Sequence, residues 1–196
     1  MFDPEDVDPS LAAQAGVIHV GGTYLLPRLD GAGTASLLAS ARSRGAVTSM
    51  DVTWDTTGRW LSLIEPCLPH LSFFMPSIKE AEQIAGMSDP VRIASLFQEH
   101  GVDTVVIKLG EKGCYVKPPG EAGFFTPAFR TEVIDTTGAG DSFVAGFVCG
   151  IVRGWSLDRC AALACAVAAL NIRKVGATAG IPTFEEAQKL MEDQGR

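Results

Sequence analysis

The stretch Asp135-Thr136-Thr137-Gly138-Ala139-Gly140-Asp141-Ser142-Phe143 decides how the rest of the chain is read. An extended segment, Phe129 to Ile134, leads into it, and apolar residues at helical spacing follow it, Phe143/Phe147/Ile151 and Val144/Val148/Val152. The glycines therefore fall where a helix begins. A glycine-rich helix start leaves backbone N–H groups without acceptors and adds the positive end of the helix dipole, a combination suited to an anion. Asp141 falls just inside that helix, beside the place where a phosphate would be held, and could take a proton from an attacking hydroxyl. A Gly-rich turn with an N-capping aspartate at an ordinary strand-to-helix junction would use the same residue types. The stretch is not a P-loop, because Gly140 is followed by Asp141 and Ser142 rather than by lysine and a hydroxyl residue.

With 196 residues, 46% hydrophobic and 20% charged, the composition predicts one globular domain over 1–196 with a real core. Its first fifteen residues, acidic and proline-bearing, are expected to be a loosely held lead-in. A formal net charge of −7 argues against nucleic acid or an anionic membrane surface as the main partner. No uninterrupted apolar run reaches spanning length and the start lacks the basic region of a signal peptide, so a cytoplasmic location is expected. Cys67, Cys114, Cys149, Cys160 and Cys165 are odd in number and form no CxxC pair, which favours buried free thiols over disulfides or zinc. His19, His70 and His100 share no ligand or base spacing and read as structural.

In chain order, Val17 to Val20 reads as a buried strand closed by Gly21-Gly22, 34–44 as a helix, and Ala46 to Val52 as the next strand. Thr57 to Glu65 reads as a helix stopped by Pro66, Leu71 to Met75 as a strand, and the segments opening at Ser77 and at Ser88-Asp89-Pro90 as helices. Thr104 to Lys108 is a β-branched strand, and Gly110 to Gly113 turns the chain into an antiparallel neighbour, Cys114 to Lys117. A long helix from Leu157 to about Val175 is apolar nearly all round and should be buried, and Thr183 to Glu186 is a capping box for the last helix. Strands alternating with helices imply an α/β fold with a doubly wound, mostly parallel sheet and sites at the carboxyl ends of strands.

The nine residues Asp135 to Phe143 resemble, at every fixed position, the carboxyl-terminal signature of the PfkB (ribokinase-like) family of carbohydrate kinases. That resemblance implies transfer of the ATP γ-phosphate to a sugar hydroxyl, with Asp141 as base and the backbone of Gly138, Ala139 and Gly140 as anion hole. It also implies that Asp135 and Thr137 hold a monovalent cation, K⁺, beside the anion hole. The family's second cation loop would fall near Gly176 to Gly180, where Gly180 stands in place of a hydroxyl residue.

Lys108-Leu109-Gly110-Glu111-Lys112-Gly113 resembles the family's nucleotide loop, in which Lys108, Gly110 and Gly113 would meet ATP. A plain hairpin turn would need the same glycines. Ser77-Ile78-Lys79-Glu80 occupies the place of an Asn-x-x-Glu motif, implying a nucleotide contact at Ser77 and a Glu80 that organises Mg²⁺ through water. Ser-x-x-Glu is equally a capping box. Asp51-Val52-Thr53-Trp54-Asp55 resembles a strand end with an Asp-x-Asn pattern, with Thr53 at the asparagine.

The resemblance runs from Val17 to the last helix and covers the carboxyl-terminal part of the family pattern. The small β-sheet lid and most sugar contacts, which members carry upstream, are not matched in this sequence. Two expectations follow: a sugar kinase or a fragment of one, which a partner supplying the missing half would complete and for which a homo-oligomer is left open, or a catalytically inactive nucleotide-binding fragment or interaction module of kinase ancestry.

Overall fold

The computed structural model describes residues 4–8 and 14–195, so most of the expected lead-in, 1–3 and 9–13, lies outside the described residues. Two compact units emerge: residues up to Ile107 with Lys117–Gly123, and Lys108–Val116 with the chain from Phe124 onward.

The first unit alternates strands and helices. Strand β1 spans Val17–Thr23, helix α1 Ala32–Ser43, β2 Val47–Val52, α2 Leu61–Ile64, β3 Phe73–Phe74, α3 Ile78–Ala85, α4 Pro90–Glu99 and β4 Thr104–Lys108. The strands are parallel and neighbour one another in sequence order, with Val20 opposite Met50, Met50 opposite Phe74 and Phe74 opposite Val105. Parallel strands joined by helices are covered on both faces, which explains their near-continuous apolar runs. The core gathers Leu38, Met50, Ile64, Phe74, Ile93 and Phe97, all fully buried, and Phe74 meets Phe97 edge to face at 5.0 Å. Arg42 clamps Asp103 by two hydrogen bonds of 2.9 and 2.8 Å, and the Gln98 amide donates to the carbonyls of Asp103, Lys117 and Pro118.

Several boundaries differ from the sequence expectation for physical reasons. β1 continues through Gly21-Gly22 to Thr23, with a register irregularity after Val20. The helix expected over Thr57 to Glu65 is reduced to the four residues of α2. Asp55 takes the preceding backbone instead, accepting from Thr57 N, Thr57 Oγ1 and Trp60 N at 2.6–2.7 Å. A side chain that satisfies local N–H groups in this way competes with the helical ladder.

In the second unit β5, Cys114–Lys117, pairs antiparallel with β6, Phe124–Thr126. The extended run Phe129 to Ile134 joins no ladder: Pro127 follows β6 without an N–H to give, and the run is held by other partners. Arg130 N–H donates to Gln194 Oε1, Thr131 Oγ1 to Ala169 O and Ile134 N–H to Ile172 O. Helices α5, Ala139–Val152, α6, Leu157–Asn171, and α7, Phe184–Asp193, complete the unit. α6 is buried on most sides, as its composition implies, but stops at Asn171 rather than near Val175. Turn bonds from Arg173 N–H to Leu170 O and Lys174 N–H to Asn171 O fold the chain away there, so Arg173 and Lys174 lie beyond the helix.

α5 and α6 touch through glycine. A Cβ on Gly146 would lie 2.8 Å from the Ala164 Cα, and one on Gly150 would lie 2.7 Å from the Cys160 Sγ. Four of the five cysteines are buried, Cys149 is half-buried and all are free thiols. Burial pushes the Cys160 thiol up to about 11 and that of Cys67 up to about 12, so neither is a ready nucleophile.

Candidate active site

The Gly138 turn is the pivot of the second unit. Its φ of 74° is left-handed, and a Cβ there would collide with the backbone of Ala177, so no other residue fits without a shift. No side chain caps α5. Ala139 N–H donates to Thr136 O, and Ser142 N–H makes the first intrahelical bond to Gly138 O. The N–H groups of Gly140 and Asp141 therefore begin the helix without an intrahelical acceptor. Asp141 stands exposed on the first turn. The Nζ of Lys108, at the end of β4, lies 3.4 Å from the point that a Cβ on Gly140 would occupy. An ammonium, the open end of a helix and a carboxylate thus meet in one small region.

Behind this region two loops are tied together. Asp135 Oδ1 accepts from Thr137 N–H at 2.9 Å and Thr137 Oγ1 at 2.7 Å, while Oδ2 accepts from Gly176 N–H at 2.8 Å. The Gly176 N–H, then the Thr137 donors, hold the Asp135 carboxyl below the usual carboxylate range. Ile172 O accepts from both Ile134 and Asp135 N–H, and the Asn171 amide donates to Thr137 O at 3.3 Å. Asn171 Oδ1 is buried with no hydrogen-bond partner among the described residues. The sequence reading did not single out Asn171, although a lone amide in an otherwise apolar helix was the available signal. Gly180 sits against the backbone of Asn171 so closely that a Cβ would collide with its carbonyl, which accounts for the absent hydroxyl side chain.

The loop after β4 explains its two glycines differently. Gly113, φ 91°, is pressed against the backbone of Thr126 and Pro127, so packing of the β5–β6 hairpin requires it. Gly110, φ 61°, faces open space and owes its identity to conformation alone. Leu109 N–H closes the turn onto Gly113 O at 2.7 Å.

The remaining predicted residues lie in the first unit. Ser77 and Glu80 form a full capping box at the start of α3: Ser77 N–H donates to Glu80 Oε2 at 2.7 Å and Glu80 N–H to Ser77 Oγ at 3.4 Å. Thr53 Oγ1 donates to Thr23 O at 3.1 Å, and Asp51 Oδ1 accepts from Val52 N–H. His19 Nδ1 meets Ser49 Oγ at 2.9 Å and His100 lies 3.6 Å from Glu65, so both have structural partners. Among the described residues no three His, Cys, Asp or Glu side chains are grouped to hold a metal ion, and no helix is long and apolar enough to cross a membrane.

The sequence matches the model of the pfkB family carbohydrate kinase over residues 2–184. An Archaeoglobus fulgidus protein described as an uncharacterized sugar kinase is 38% identical over 125 residues, 63% of this chain and 49% of that protein. The 2-dehydro-3-deoxygluconokinase of Bacillus subtilis is 30% identical over 188 residues, 92% of this chain and 57% of that enzyme. Among solved structures, Arabidopsis thaliana ribokinase complexed with ribose and ATP superimposes with a TM-score of 0.82 at 23% identity, covering 95% of this chain and 59% of that one. The chain thus spans about half the length of the curated relatives it matches.

Proposed function

Since this chain belongs to the pfkB family of carbohydrate kinases, we propose that it carries the phosphoryl-transfer centre of an ATP-dependent sugar kinase. The observation that carries the reading is the convergence of Lys108 Nζ, the uncapped start of α5 and Asp141. Phosphoryl transfer asks a protein chiefly for positioning and for stabilisation of the charge that develops on the transferring group. Asp141 accepts the proton of the sugar hydroxyl as it attacks. The Gly138-Ala139-Gly140 turn, through the open N–H groups of Gly140 and Asp141 and aided by the helix dipole and the Lys108 ammonium, holds the negative oxygens, while the Ala139 N–H is spent on Thr136 O. Gly110 leaves the backbone of its loop open to the nucleotide.

Two ions fit the residues present. Asp135, the Thr137 carbonyl and the orphaned Asn171 Oδ1 are oxygen donors of the kind a monovalent cation takes, and such an ion would steady the Gly138 turn. Glu80, one carboxylate oxygen of which accepts from Ser77 N–H, would help to hold Mg²⁺ through water. Mg²⁺ neutralises phosphate charge when bound.

A second reading, an inactive nucleotide-binding module, is favoured by one observation. The hydroxyls at Ser77 and Thr53, which stand where relatives of this pattern carry amides, are both engaged in local structural bonds. ADP release by the purified chain with Mg-ATP, K⁺ and a panel of sugars, beside Asp141→Asn, separates the two. A sugar-dependent rate lost in the variant is the expected result. ATP binding without turnover would establish the second reading, and absence of ATP binding would overturn both.

A further inference from the structure

We propose that Trp54, braced by Trp60 beyond the carboxyl end of β2, is the platform on which an uncharged acceptor sugar stacks, a proposal that rests on the kinase reading. The strands β1 and β2 are parallel neighbours; Tyr24 directly follows the carboxyl end of β1, and Trp54 stands two residues beyond that of β2. Ligands of open α/β sheets bind outside those ends.

Three rings stand there in series. Tyr24 meets Trp60 edge to face at 5.7 Å and 72°, and Trp60 meets Trp54 edge to face at 5.0 Å and 83°. The series runs outward: Tyr24 is 9% exposed and Trp54 is 53% exposed. More than half of the Trp54 surface is exposed, which leaves indole area for a ligand.

The bracing is built at a cost. Tyr24, φ 81°, and Trp60, φ 38°, are the only non-glycine residues with positive φ among the described residues, and they hold each other, the Tyr24 hydroxyl donating to Trp60 O at 3.0 Å. Buried Asp55 fixes Trp60 N–H, and Asp30 Oδ2 accepts from Tyr24 and Leu26 N–H at 3.1 and 3.0 Å. Backbone strain of this kind persists only where surrounding bonds over-determine it, and it gathers at ligand sites. Here the strained pair supports an exposed tryptophan.

Charge selects the ligand. Asp30, Asp55 and Glu80 all act on the Tyr24 hydroxyl, with Arg59 as the cation acting on Asp30. Asp30 and Asp55, hydrogen-bonded to the Tyr24 and Trp60 N–H groups, set two carboxylates behind these rings, which disfavours a sugar acid. Asp30 Oδ1 is a buried acceptor with no partner among the described residues, matching a ligand or water that brings hydroxyl donors. An uncharged sugar supplies both an apolar C–H face for the indole and the hydroxyls.

Tryptophan emission tests the proposal on the whole chain, which has three tryptophans. Ribose, fructose, glucose and gluconate are titrated against the wild type, Trp54→Phe and Trp54→Ala, alongside ADP-release kinetics. The proposal expects a neutral sugar to shift emission, Trp54→Phe to abolish the shift while keeping the sugar KM within about threefold, and Trp54→Ala to raise that KM about tenfold, with the KM for ATP unmoved. A sugar KM in Trp54→Ala within about twofold of wild type overturns the platform and leaves the kinase reading standing. Should no sugar turn over, the kinase reading fails and emission decides the platform alone: a sugar-induced shift that Trp54→Phe abolishes sustains it, and no shift removes it.

Discussion

The Nζ of Lys108 reaches to 3.4 Å from where a Cβ on Gly140 would stand, which puts an ammonium at the open end of α5. An ammonium there stabilises negative charge that grows during transfer more than charge already present in bound ATP. Lys108→Met is therefore expected to lower kcat by about 100-fold while changing the KM for ATP by less than about threefold. Steady-state kinetics with saturating sugar check this, and a rise in KM with kcat intact would make Lys108 a nucleotide contact only.

The two outer glycines of the turn should respond differently to alanine. Gly138→Ala meets both a left-handed φ and the Ala177 backbone, so it is expected to destabilise the fold by about 2 kcal/mol or more. At Gly140 the added methyl meets only the flexible end of Lys108. Gly140→Ala should keep the wild-type urea midpoint and lose activity by moving the ammonium, and equal unfolding midpoints for the two variants would contradict the distinction.

Gly146 sets helix propensity against packing. Alanine in a helix interior is favoured over glycine by about 1 kcal/mol. At Gly146 the new methyl would stand 2.8 Å from the Ala164 Cα and 3.1 Å from the Leu163 carbonyl, both backbone atoms that yield only if α5 and α6 separate. Overpacking costs about 1–3 kcal/mol, so Gly146→Ala is expected to lower stability, measured as a reduced denaturation midpoint. A raised midpoint would mean that the helices part freely.

A ring stack joins the ends of the three helices in the second unit. Arg159 lies over Trp155 at 3.7 Å, Trp155 contacts Phe184 at 5.7 Å, and Arg153 lies over Phe184 at 3.9 Å. Trp155→Ala removes both the Arg159 and the Phe184 contacts and is expected to cost about 2 kcal/mol. Arg159→Ala removes one cation–π contact at the surface and should cost about 0.5–1 kcal/mol. Thermal unfolding of the two variants checks the order.

The motif at 135–143 was legible because its glycines coincide with a change from extended to helical periodicity, and that junction is where the structure starts α5. The ends of α3 and α7 were legible for the same kind of reason: Ser77/Glu80 and Thr183/Glu186 are reciprocal caps within four residues. What sequence concealed depends on partners far along the chain. Gly180 is glycine because of the Asn171 carbonyl, Gly113 because of Thr126, and Asp135 owes its setting to Gly176, forty-one residues away. The helix expected over Thr57 to Glu65 is shortened to Leu61–Ile64, since its apolar spacing fits a helix but Asp55 had the stronger claim on the Thr57 and Trp60 N–H groups. The extended segment from Phe129 to Ile134 joins no ladder, since Pro127 follows β6 without an N–H to give.

The two carboxylates of the aromatic corner should act on stability in opposite directions. Burial works to raise the Asp55 carboxyl, but the donors from Thr57 and Trp60 outweigh it and hold the group below its usual range. As acid is added, the unfolded chain takes up this proton first, near the ordinary value of about 3.9. Stability due to Asp55 is therefore complete above that value and drains away as pH falls through the lower folded one. For Asp30, burial raises the carboxyl against the pull of the Leu26 and Tyr24 N–H groups and of Arg59. The folded chain then binds its proton more readily than the unfolded chain, so ionised Asp30 weakens the fold once pH passes the raised value. Asp55→Ala is accordingly expected to cost about 1–3 kcal/mol at pH 7, through three lost hydrogen bonds, and to flatten the loss of stability below about pH 4. Asp30→Asn keeps an acceptor for both N–H groups and removes the buried charge, so at pH 7 it should equal or exceed the wild type in urea. A marked loss in Asp30→Asn would show that the charge itself holds the Tyr24 turn in its left-handed form.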